Sequence, residues 1–374
     1  MGEKEVVAIA RCKSYKQEEV DRAVTKLLKL LDFPVNEYEN KKVLIKPNVL
    51  GVYKKNMEAT ITNINIVKSL LKQFKNAKVG ESSITDTEIN LRKTGYWKLN
   101  PIVFEEKKLI KINDKKARVL KHFLLPKPVV EADLVINVPK MKTHTLTKMT
   151  GAIKNLYGCI PGGVKQMLHK KAIGEKKFSS LLVDIYQNIK PGLNIMDAVV
   201  AMEGNGPSAG KRKKVRLILA SRNAVALDIA ASKLMGFKNG EILAVDDAVE
   251  RGLASYKIQI IGDLKKIPNL KFEKPSRFNN ETVKAIFSGM TKDKIVCNKE
   301  KCVKCGICMK HCPAKAITLN PFPEINPEKC IRCFCCIEVC PNHALHLKDN
   351  MLVKVAKIMK KREKSRKSQD FLAH

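Results

Sequence analysis

Ten of the twelve cysteines lie between Cys297 and Cys340, and eight of them form two runs with the same spacing, C-x2-C-x2-C-x3-C-P. Three thiolates spaced in this way wrap three corners of a four-iron cubane. The fourth, held back by the following proline, reaches the other cubane. The spacing therefore predicts two [4Fe–4S] clusters, whose chemistry is the transfer of single electrons.

The three-plus-one pattern also assigns the ligands of each cluster. Cluster I takes Cys302, Cys305, Cys308 and Cys340, and cluster II takes Cys330, Cys333, Cys336 and Cys312. The segments that begin at Lys301 and Lys329 align at an offset of 28 residues, with coincident cysteines, prolines and later apolar positions. This duplication favours cubanes over zinc, the other metal that paired C-x2-C motifs bind.

The segment Val296–Leu347 resembles a bacterial-type two-cluster ferredoxin. The resemblance implies a small α+β domain and low-potential, one-electron transfer between two clusters close enough to exchange electrons. Two cysteines depart from the pattern. We interpret Cys335, next to Cys336, as a spare thiol that does not replace a ligand, and Cys297 as a packing residue.

Residues 1 to about 275 alternate short apolar strands with amphipathic helical patterns. The predicted strands are Glu5–Arg11, Lys42–Lys46, Ala77–Glu81, Asp133–Val138, Leu193–Val199, Val215–Ala220 and Lys257–Ile261. The predicted helices are Glu18–Leu31, Ile64–Phe74, Ser180–Ile189, Ala224–Met235 and Glu241–Arg251. Such alternation is typical of an α/β fold, with a mostly parallel sheet and helices on both faces. The segment Pro101–Pro128 is expected to be an antiparallel extension or insert.

Polar side chains follow the ends of these strands, where ligands bind in open α/β sheets. We expect a phosphate or carboxylate site at this edge. The candidate binding residues are Lys46, Asn48, Lys140, Lys142, Lys154 and Asn155. His144, in the same stretch, is either a loop histidine or a proton donor.

A glycine-rich loop, Glu203–Lys211, is a further candidate, because its glycines, Gly206 among them, allow an anion to approach the backbone. It is not a Walker A loop, since Asn205 stands where the first glycine is needed. No strand leads into G-x-G-x-x-G, so a dinucleotide cofactor has no support. We hypothesise that His144 or Glu203 handles protons.

Five motifs in sequence resemble the family called domain of unknown function 362, which is often joined to a ferredoxin-like module. They are Ile45–Asn48, Pro139–His144, Thr150–Gly158, Glu203–Pro207 and Ala224–Asp228. The resemblance implies the fold and an association with iron–sulfur electron transfer, but no particular reaction. The matching motif positions are Lys46, Asn48, Lys140, Lys142, His144, Lys154, Asn155, Glu203, Gly206 and Asp228.

The chain carries 71 basic and 37 acidic residues, a net charge of +34. Such an excess reflects either a lysine-rich surface or an acidic partner or substrate, such as RNA, DNA, a phosphorylated ligand or an acidic redox protein. Aromatic residues make up only 5% of the chain, with Trp97 the single tryptophan, so no rich stacking platform for single-stranded nucleic acid is present. No apolar run is long enough to span a membrane, which predicts a cytoplasmic location.

The predicted organisation is an α/β domain (1–275), a linker (276–291), a two-cluster ferredoxin-like domain (292–350) and a basic tail (351–374). The favoured function is an oxidoreductase that passes single electrons to an anionic small molecule. The alternative is an electron-transfer or assembly subunit whose α/β domain binds a redox partner protein. An RNA-binding iron–sulfur protein ranks third, because no RNA-binding motif accompanies the charge.

Overall fold

The structure is a computed structural model that describes residues 4–53, 56–278 and 294–348. Its strands are β1 (Glu5–Arg11), β2 (Val43–Pro47), β3 (Lys78–Glu81), β4 (Ile102–Val103), β5 (Leu109–Asn113), β6 (His122–Pro126), β7 (Leu134–Val138), β8 (Lys140–His144), β9 (Lys148–Thr150), β10 (Leu193–Glu203), β11 (Lys211–Ser221), β12 (Ile258–Gly262), β13 (Ile295–Cys297), β14 (Ile317–Leu319), β15 (Pro323–Ile325) and β16 (Leu345–Leu347).

The α-helices are α1 (Gln17–Leu30), α2 (Met57–Thr60), α3 (Ile64–Gln73), α4 (Thr87–Lys93), α5 (Lys127–Val130), α6 (Ala152–Asn155), α7 (Gly162–Lys171), α8 (Glu175–Ile189), α9 (Ala224–Met235), α10 (Leu243–Glu250), α11 (Ile307–Lys310) and α12 (Cys335–Glu338). Short 3-10 helices occur at Val35–Tyr38, Tyr96–Leu99, Phe104–Glu106, Leu156–Cys159 and Ser276–Phe278.

Ten of the described strands form one large sheet in the order β12-β1-β11-β10-β7-β2-β3-β4, with β8 paired to β10 and β9 paired to β8. The run from β10 through β7, β2 and β3 to β4 is parallel, as are the β1–β12 and β8–β10 pairs. The β1–β11, β10–β11 and β8–β9 pairs are antiparallel. The predicted α/β class with a mostly parallel sheet is confirmed.

Helices cover both faces of this sheet, as alternate residues of β1 show. Val7 and Ile9 pack into the core that includes α8 and α9, whereas Ala8 and Ala10 pack into the core that includes α1 and α3. Successive strand side chains point to opposite faces. A strand buried on both sides therefore reads as a continuous apolar run, which is the pattern the sequence shows.

The spacing of apolar residues explains why the helices form where they do. Helix α1 buries Val20, Val24, Leu27 and Leu28, which lie three or four residues apart and form one stripe. Helix α9 begins after Asn223, whose side chain accepts hydrogen bonds from two backbone N–H groups of the first turn. Local capping and periodicity thus fix these helices in place.

One pair of strands is longer than predicted. The predicted strands Leu193–Val199 and Val215–Ala220 extend into β10 and β11, which form an antiparallel hairpin of 11-residue strands. The first half of β11 consists mainly of basic residues, which hides the strand pattern. The glycine-rich loop Glu203–Lys211 is the turn of this hairpin, and only the folded structure shows that role.

The segment Pro101–Pro128 carries an antiparallel pair, β5 and β6, apart from the large sheet, in agreement with the predicted insert. The predicted linker lies mostly, and the predicted basic tail wholly, outside the described residues. Within the described ranges, no helix is both long and apolar enough to cross a membrane.

The cysteine-rich region repeats its own structure. Helices α11 and α12 occupy equivalent positions in the two motifs, and so do strands β14 and β16. Strand β13 pairs with β16, and β14 pairs with β15, both antiparallel. The duplicated sequence therefore folds into two similar halves with short strands and helices.

Candidate functional site

A cavity of about 70 Å³ lies at the carboxyl ends of β2 and β3, where the α/β region meets the cysteine-rich region. Four lysines line it, and we therefore call it the lysine cavity: Lys46, Lys142, Lys154 and Lys165. Asn48 and Asn155 line it as well. The opposite wall comes from the cysteine-rich region, through His311, Cys335, Glu338 and Val339. The structure therefore brings together most of the predicted binding residues at the predicted edge of the sheet.

Lys142 and Lys154 present unused hydrogen-bond donors to the cavity. An ammonium group has three donors. Lys142 uses one on the carbonyl oxygen of Thr60, at 2.7 Å. Apart from the ring of Tyr157, 6.0 Å away, the Lys154 ammonium has no hydrogen-bond or ion-pair partner among the described residues. Among the four lysines of the lining, these two side chains therefore have the most unused donors for a ligand.

Burial lowers the pKa of Lys142 well below its ordinary value, and repulsion from Lys154 adds to the effect. Burial likewise lowers the pKa of Lys154, against the attraction of Glu338. An anion between the two ammonium groups offsets both the desolvation and the repulsion. The electrostatics of the cavity thus favour an anionic ligand.

The other two lysines of the lining are engaged by the protein itself. Nζ of Lys46 lies 2.7 Å from Oε1 of Glu81 and donates to a neighbouring backbone carbonyl. Nζ of Lys165 donates to the carbonyl oxygens of Ser82 and Ser83 and to the Ser82 hydroxyl. Burial lowers the pKa of Lys165 to about 8. Lys165 thus uses all three of its donors, and Lys46 uses two of three and is compensated by Glu81, so both lysines mainly build the wall.

The two predicted asparagines hold the strand ends that shape the cavity. Nδ2 of Asn48 donates to the carbonyl oxygen of Thr60 at 2.8 Å. Nδ2 of Asn155 donates to Oδ1 of Asn137 at 2.8 Å and to the carbonyl oxygen of Lys46 at 3.2 Å. Because these amides are committed to the protein, we assign them a positioning role.

Helix α6, which carries Lys154, is fixed by Asp228. The carboxylate accepts hydrogen bonds from the backbone N–H groups of Ala152, at 2.6 Å, and Ile153, at 3.0 Å. Burial raises the pKa of Asp228 to about 7, against the effect of these two hydrogen bonds. A side chain at Gly151 would come within 2.1 Å of the carboxylate, so the close contact requires glycine.

Glu338 joins the cysteine-rich region to the α/β region at the cavity wall. Its Oε1 lies 3.1 Å from Nε2 of His144, with a geometry outside that of a regular hydrogen bond. Its backbone carbonyl accepts a 2.7 Å hydrogen bond from the Tyr53 hydroxyl. Nδ1 of His144 accepts hydrogen bonds from the backbone N–H groups of Leu146 and Thr147, at 3.0 and 3.3 Å. The proton of the neutral ring therefore lies on Nε2 and faces Glu338.

The charge states of this pair follow from its surroundings. Burial lowers the pKa of His144 to about 4, and repulsion from Lys154 acts in the same direction. Burial opposes the ionisation of Glu338, but His144 and Lys154 outweigh it and lower the pKa to about 2. At neutral pH the pair is a carboxylate facing a neutral imidazole.

The structure does not bring two of the predicted site residues, Lys140 and Glu203, to this cavity. Nζ of Lys140 is 2.8 Å from Oδ2 of Asp197 and 2.8 Å from the Tyr15 hydroxyl, in a fully buried site. The Glu203 carboxylate pairs with Lys213 at 2.8 Å. Each charge is already compensated within the α/β region, so neither side chain is available to a ligand in the cavity.

Gly206 has a packing role. A side chain at this position would come within 1.8 Å of the carbonyl oxygen of Thr143. The Gly206 carbonyl accepts hydrogen bonds from the backbone N–H of Thr145, at 3.0 Å, and from its hydroxyl, at 2.7 Å. The glycine lets the hairpin turn lie against β8, which places Pro207 at the cavity wall.

Each predicted set of four cysteines surrounds one small cavity. One cavity is lined by Cys302, Cys305, Cys308 and Cys340, and the other by Cys312, Cys330, Cys333 and Cys336. The fourth cysteine of each run thus crosses to the three of the other run, as the spacing predicts. Cys335 lines the lysine cavity and neither of these two.

Backbone hydrogen bonds to sulfur support the fit of this donor set to iron–sulfur clusters. The backbone N–H of Ala316 donates to Sγ of Cys312 at 3.3 Å, and that of Ala344 donates to Sγ of Cys340 at 3.2 Å. The two bonds are equivalent in the repeat. Four thiolates with such N–H donors suit a [4Fe–4S] cubane. The assignment of each cysteine to its cluster stays a prediction.

Three residues of the site were missed at the sequence level. Glu338 could have been found from the sequence, because it is an acidic residue at the position where the first repeat has the basic Lys310. Glu81 ends the predicted strand Ala77–Glu81, but no sequence pattern identifies it as the partner of Lys46. Lys165 had no signal, since it lies in a helix rich in other lysines.

Two family matches agree with this architecture. Residues 43–233 match the family described as domain of unknown function (DUF362), and residues 294–341 match the 4Fe-4S dicluster domain. The molecule is therefore an iron–sulfur, electron-carrying protein with an α/β domain, and its dicluster domain indicates two [4Fe–4S] clusters. The chain belongs to the DUF362 family.

Individual proteins match over smaller parts. The chain is 40% identical over 115 residues to a thylakoid-associated protein of Synechocystis sp., which covers 30% of this chain and 36% of that relative. The chain thus matches little more than a third of that relative's length. The lactate racemase apoprotein of Thermoanaerobacterium thermosaccharolyticum is similar at a TM-score of 0.40 and 14% identity, covering 64% of this chain and 57% of that one. Neither match assigns a reaction.

Proposed function

We propose that this iron–sulfur protein is an oxidoreductase that passes single electrons to a small anionic substrate held in the lysine cavity. The observation that carries the proposal is that one cavity is lined both by lysines of the α/β region and by residues of the second cysteine motif. Cys335 at the cavity wall is the chain neighbour of Cys336, a predicted ligand of cluster II. Neighbouring Cα atoms are about 3.8 Å apart, so the substrate site and that cluster are adjacent.

Lys142 and Lys154 bind the substrate in this proposal. Their unused donors supply charge-assisted hydrogen bonds to a carboxylate or phosphate group. Lys165 adds long-range attraction, because all of its donors are engaged by the protein, whereas the charge of Lys46 is compensated by Glu81. The chemical class of the substrate is therefore a small anion with a group that accepts electrons.

The clusters supply single electrons when they are bound. The rest of the site positions the substrate and excludes water. Glu338 carries the opposite charge and lines the same cavity, so it orients the anion by repulsion as the lysines attract it. We assign His144 a positioning role, because it contacts Glu338 and does not line the cavity.

The test is anaerobic reoxidation of the reduced holoprotein by a pool of small carboxylates and phosphates. We expect one compound, or one group of related compounds, to restore the absorption of the oxidised clusters within turnover times. The Lys154→Met variant should lose this reoxidation, since it removes the ammonium with the most unused donors. Lys170→Met is the matched control, because Lys170 is exposed on α7.

If no compound in the pool reoxidises the protein, although both clusters are present and can be reduced, the proposal is contradicted. That outcome would favour the electron-transfer or assembly subunit. Equal reoxidation of the wild type and the Lys154→Met variant would place the substrate elsewhere on the molecule.

A further inference from the structure

The two halves of the cysteine-rich region have opposite surroundings. Residues 334–340, which belong to the second motif, are all buried, in part against the α/β region. The equivalent stretch of the first motif, residues 306–312, is mostly half-buried or exposed. The ligand Cys305 is exposed, whereas its repeat equivalent Cys333 is half-buried. Cluster II therefore faces the substrate cavity, and cluster I faces outward.

Apolar side chains around cluster I are open to solvent. Val303 is 60% exposed and Met309 is 44% exposed. Ile337, the repeat equivalent of Met309, is only 7% exposed because it packs in the core. The first motif therefore exposes apolar side chains in the segment that carries Cys305 and Cys308, as surfaces that contact other proteins do.

The charge around cluster I also differs from that around cluster II. Residues 298–315 carry five lysines and one glutamate, whereas the aligned residues 326–343 carry two basic and two acidic side chains. The ammonium groups of Lys299 and Lys304 lie 5.5 and 4.9 Å from the ring of Phe322. The outward half thus combines exposed apolar side chains with an excess of basic ones.

We propose that this cluster I surface, made of Lys299, Lys301, Val303, Lys304, Met309 and Lys310, docks a small acidic one-electron carrier protein. The four lysines attract the acidic carrier, and Val303 and Met309 make apolar contacts with it near Cys305. In each encounter the carrier is oxidised by one electron and cluster I is reduced by one electron, with no bond made or broken. The inference rests on the proposed function, since the carrier supplies the electrons that the proposed oxidoreductase passes to its substrate.

An acidic protein fits this surface better than RNA. In the part of the chain that the structure describes, the aromatic ring shown beside this surface is Phe322, which two of its lysines already contact, so these residues offer no run of rings on which bases could stack. Burial of the exposed apolar side chains against a protein surface contributes favourable free energy of binding. Contact of these side chains with phosphate groups contributes little.

The experiment measures two quantities with an acidic bacterial [4Fe–4S] ferredoxin as the probe. One is the dissociation constant of the oxidised carrier from the holoprotein, and the other is the rate at which the reduced carrier bleaches the clusters in stopped flow. No substrate is present. The test variant is Lys301→Glu with Lys310→Glu. Its control is Lys41→Glu with Lys78→Glu, which makes the same charge change at the amino ends of β2 and β3.

We expect the test variant to weaken binding and slow cluster reduction by roughly tenfold or more, and the control to change either by less than about threefold. Both effects should shrink as salt is raised. Iron content and visible absorption verify that each variant keeps its clusters. An unchanged test variant, equal losses in the two variants, or no binding of the carrier to the wild type would overturn the inference. So would an RNA that competes with the carrier at equal strength.

The outcome separates this inference from the proposed function. If the carrier docks and reduces the clusters but no compound reoxidises them, the docking surface is supported and the oxidoreductase function is contradicted. If a compound reoxidises chemically reduced clusters but the carrier does not dock, the oxidoreductase function is supported and the docking surface is contradicted.

Discussion

Lys140 and Lys142 lie two residues apart on β8, and both side chains are almost completely buried, yet they belong to two regions with opposite electrostatics. Lys140 lies in a sealed site with Asp197 and Tyr15, where each charge has its partner. Lys142 lies at the lysine cavity, where a backbone carbonyl is its one hydrogen-bond partner in the described chain. The register between β8 and β10 shifts between these two positions.

The comparison separates a buried lysine with a carboxylate partner from a buried lysine without one. A buried ammonium with a carboxylate beside it is already stabilised, and removing it leaves an unpaired buried charge behind. A buried ammonium without a carboxylate is unfavourable in the empty protein and becomes favourable when an anion arrives. The two lysines share a strand and the same degree of burial, so charge compensation is the property that distinguishes them.

The largest effect is expected at the sealed site. Lys140→Met should lower the free energy of unfolding by about 3–5 kcal/mol, because Asp197 stays buried without its partner. Anaerobic urea unfolding of the holoprotein, followed by the fluorescence of Trp97, measures this change. Lys142→Met is the matched control on the same strand, and it should change the free energy of unfolding by less than about 1 kcal/mol. Equal destabilisation by the two variants would erase the distinction.

A smaller effect is expected at the cavity. Lys142→Ala should weaken the binding of a small anion by about 1–3 kcal/mol, since it removes a charge-assisted hydrogen bond. The probes are acetate and inorganic phosphate, and the measurement is calorimetric titration of the holoprotein. Lys170→Ala, exposed on α7, is the control and should bind as the wild type does. If neither probe binds the wild type, or if Lys142→Ala binds equally well, the cavity is not an anion site.

The smallest effect is expected from the basic tail. Deleting the chain after Lys357 should leave the affinity for acetate or phosphate nearly unchanged, because charges on a tail are screened by salt. The same titration checks this. Affinity for a large polyanion such as heparin falls if the tail adds to the binding. Loss of small-anion binding in the truncated protein, with the lysine variants unaffected, would move the site away from the cavity.

The sequence by itself was sufficient for two parts of this protein. Apolar periodicity located most strands of the large sheet and most of the longer helices, although it missed β8, β9 and α7. It succeeded where a strand such as Glu5–Arg11 is buried on both faces and carries no mixed pattern. Cysteine spacing grouped the two sets of four thiols, since a cubane tolerates few arrangements of its ligands. Both signals are local in the chain or fixed by a rigid cofactor.

Only the tertiary structure decided which polar residues share a site. Lys140 was paired with Asp197, 57 residues away, and Glu338 was brought from the cysteine-rich region to His144. No short-range pattern records such contacts, because the partners come from different strands or from different halves of the molecule. Electrostatic compensation depends on distance in space, so only the folded chain shows which lysines have a carboxylate partner and which do not.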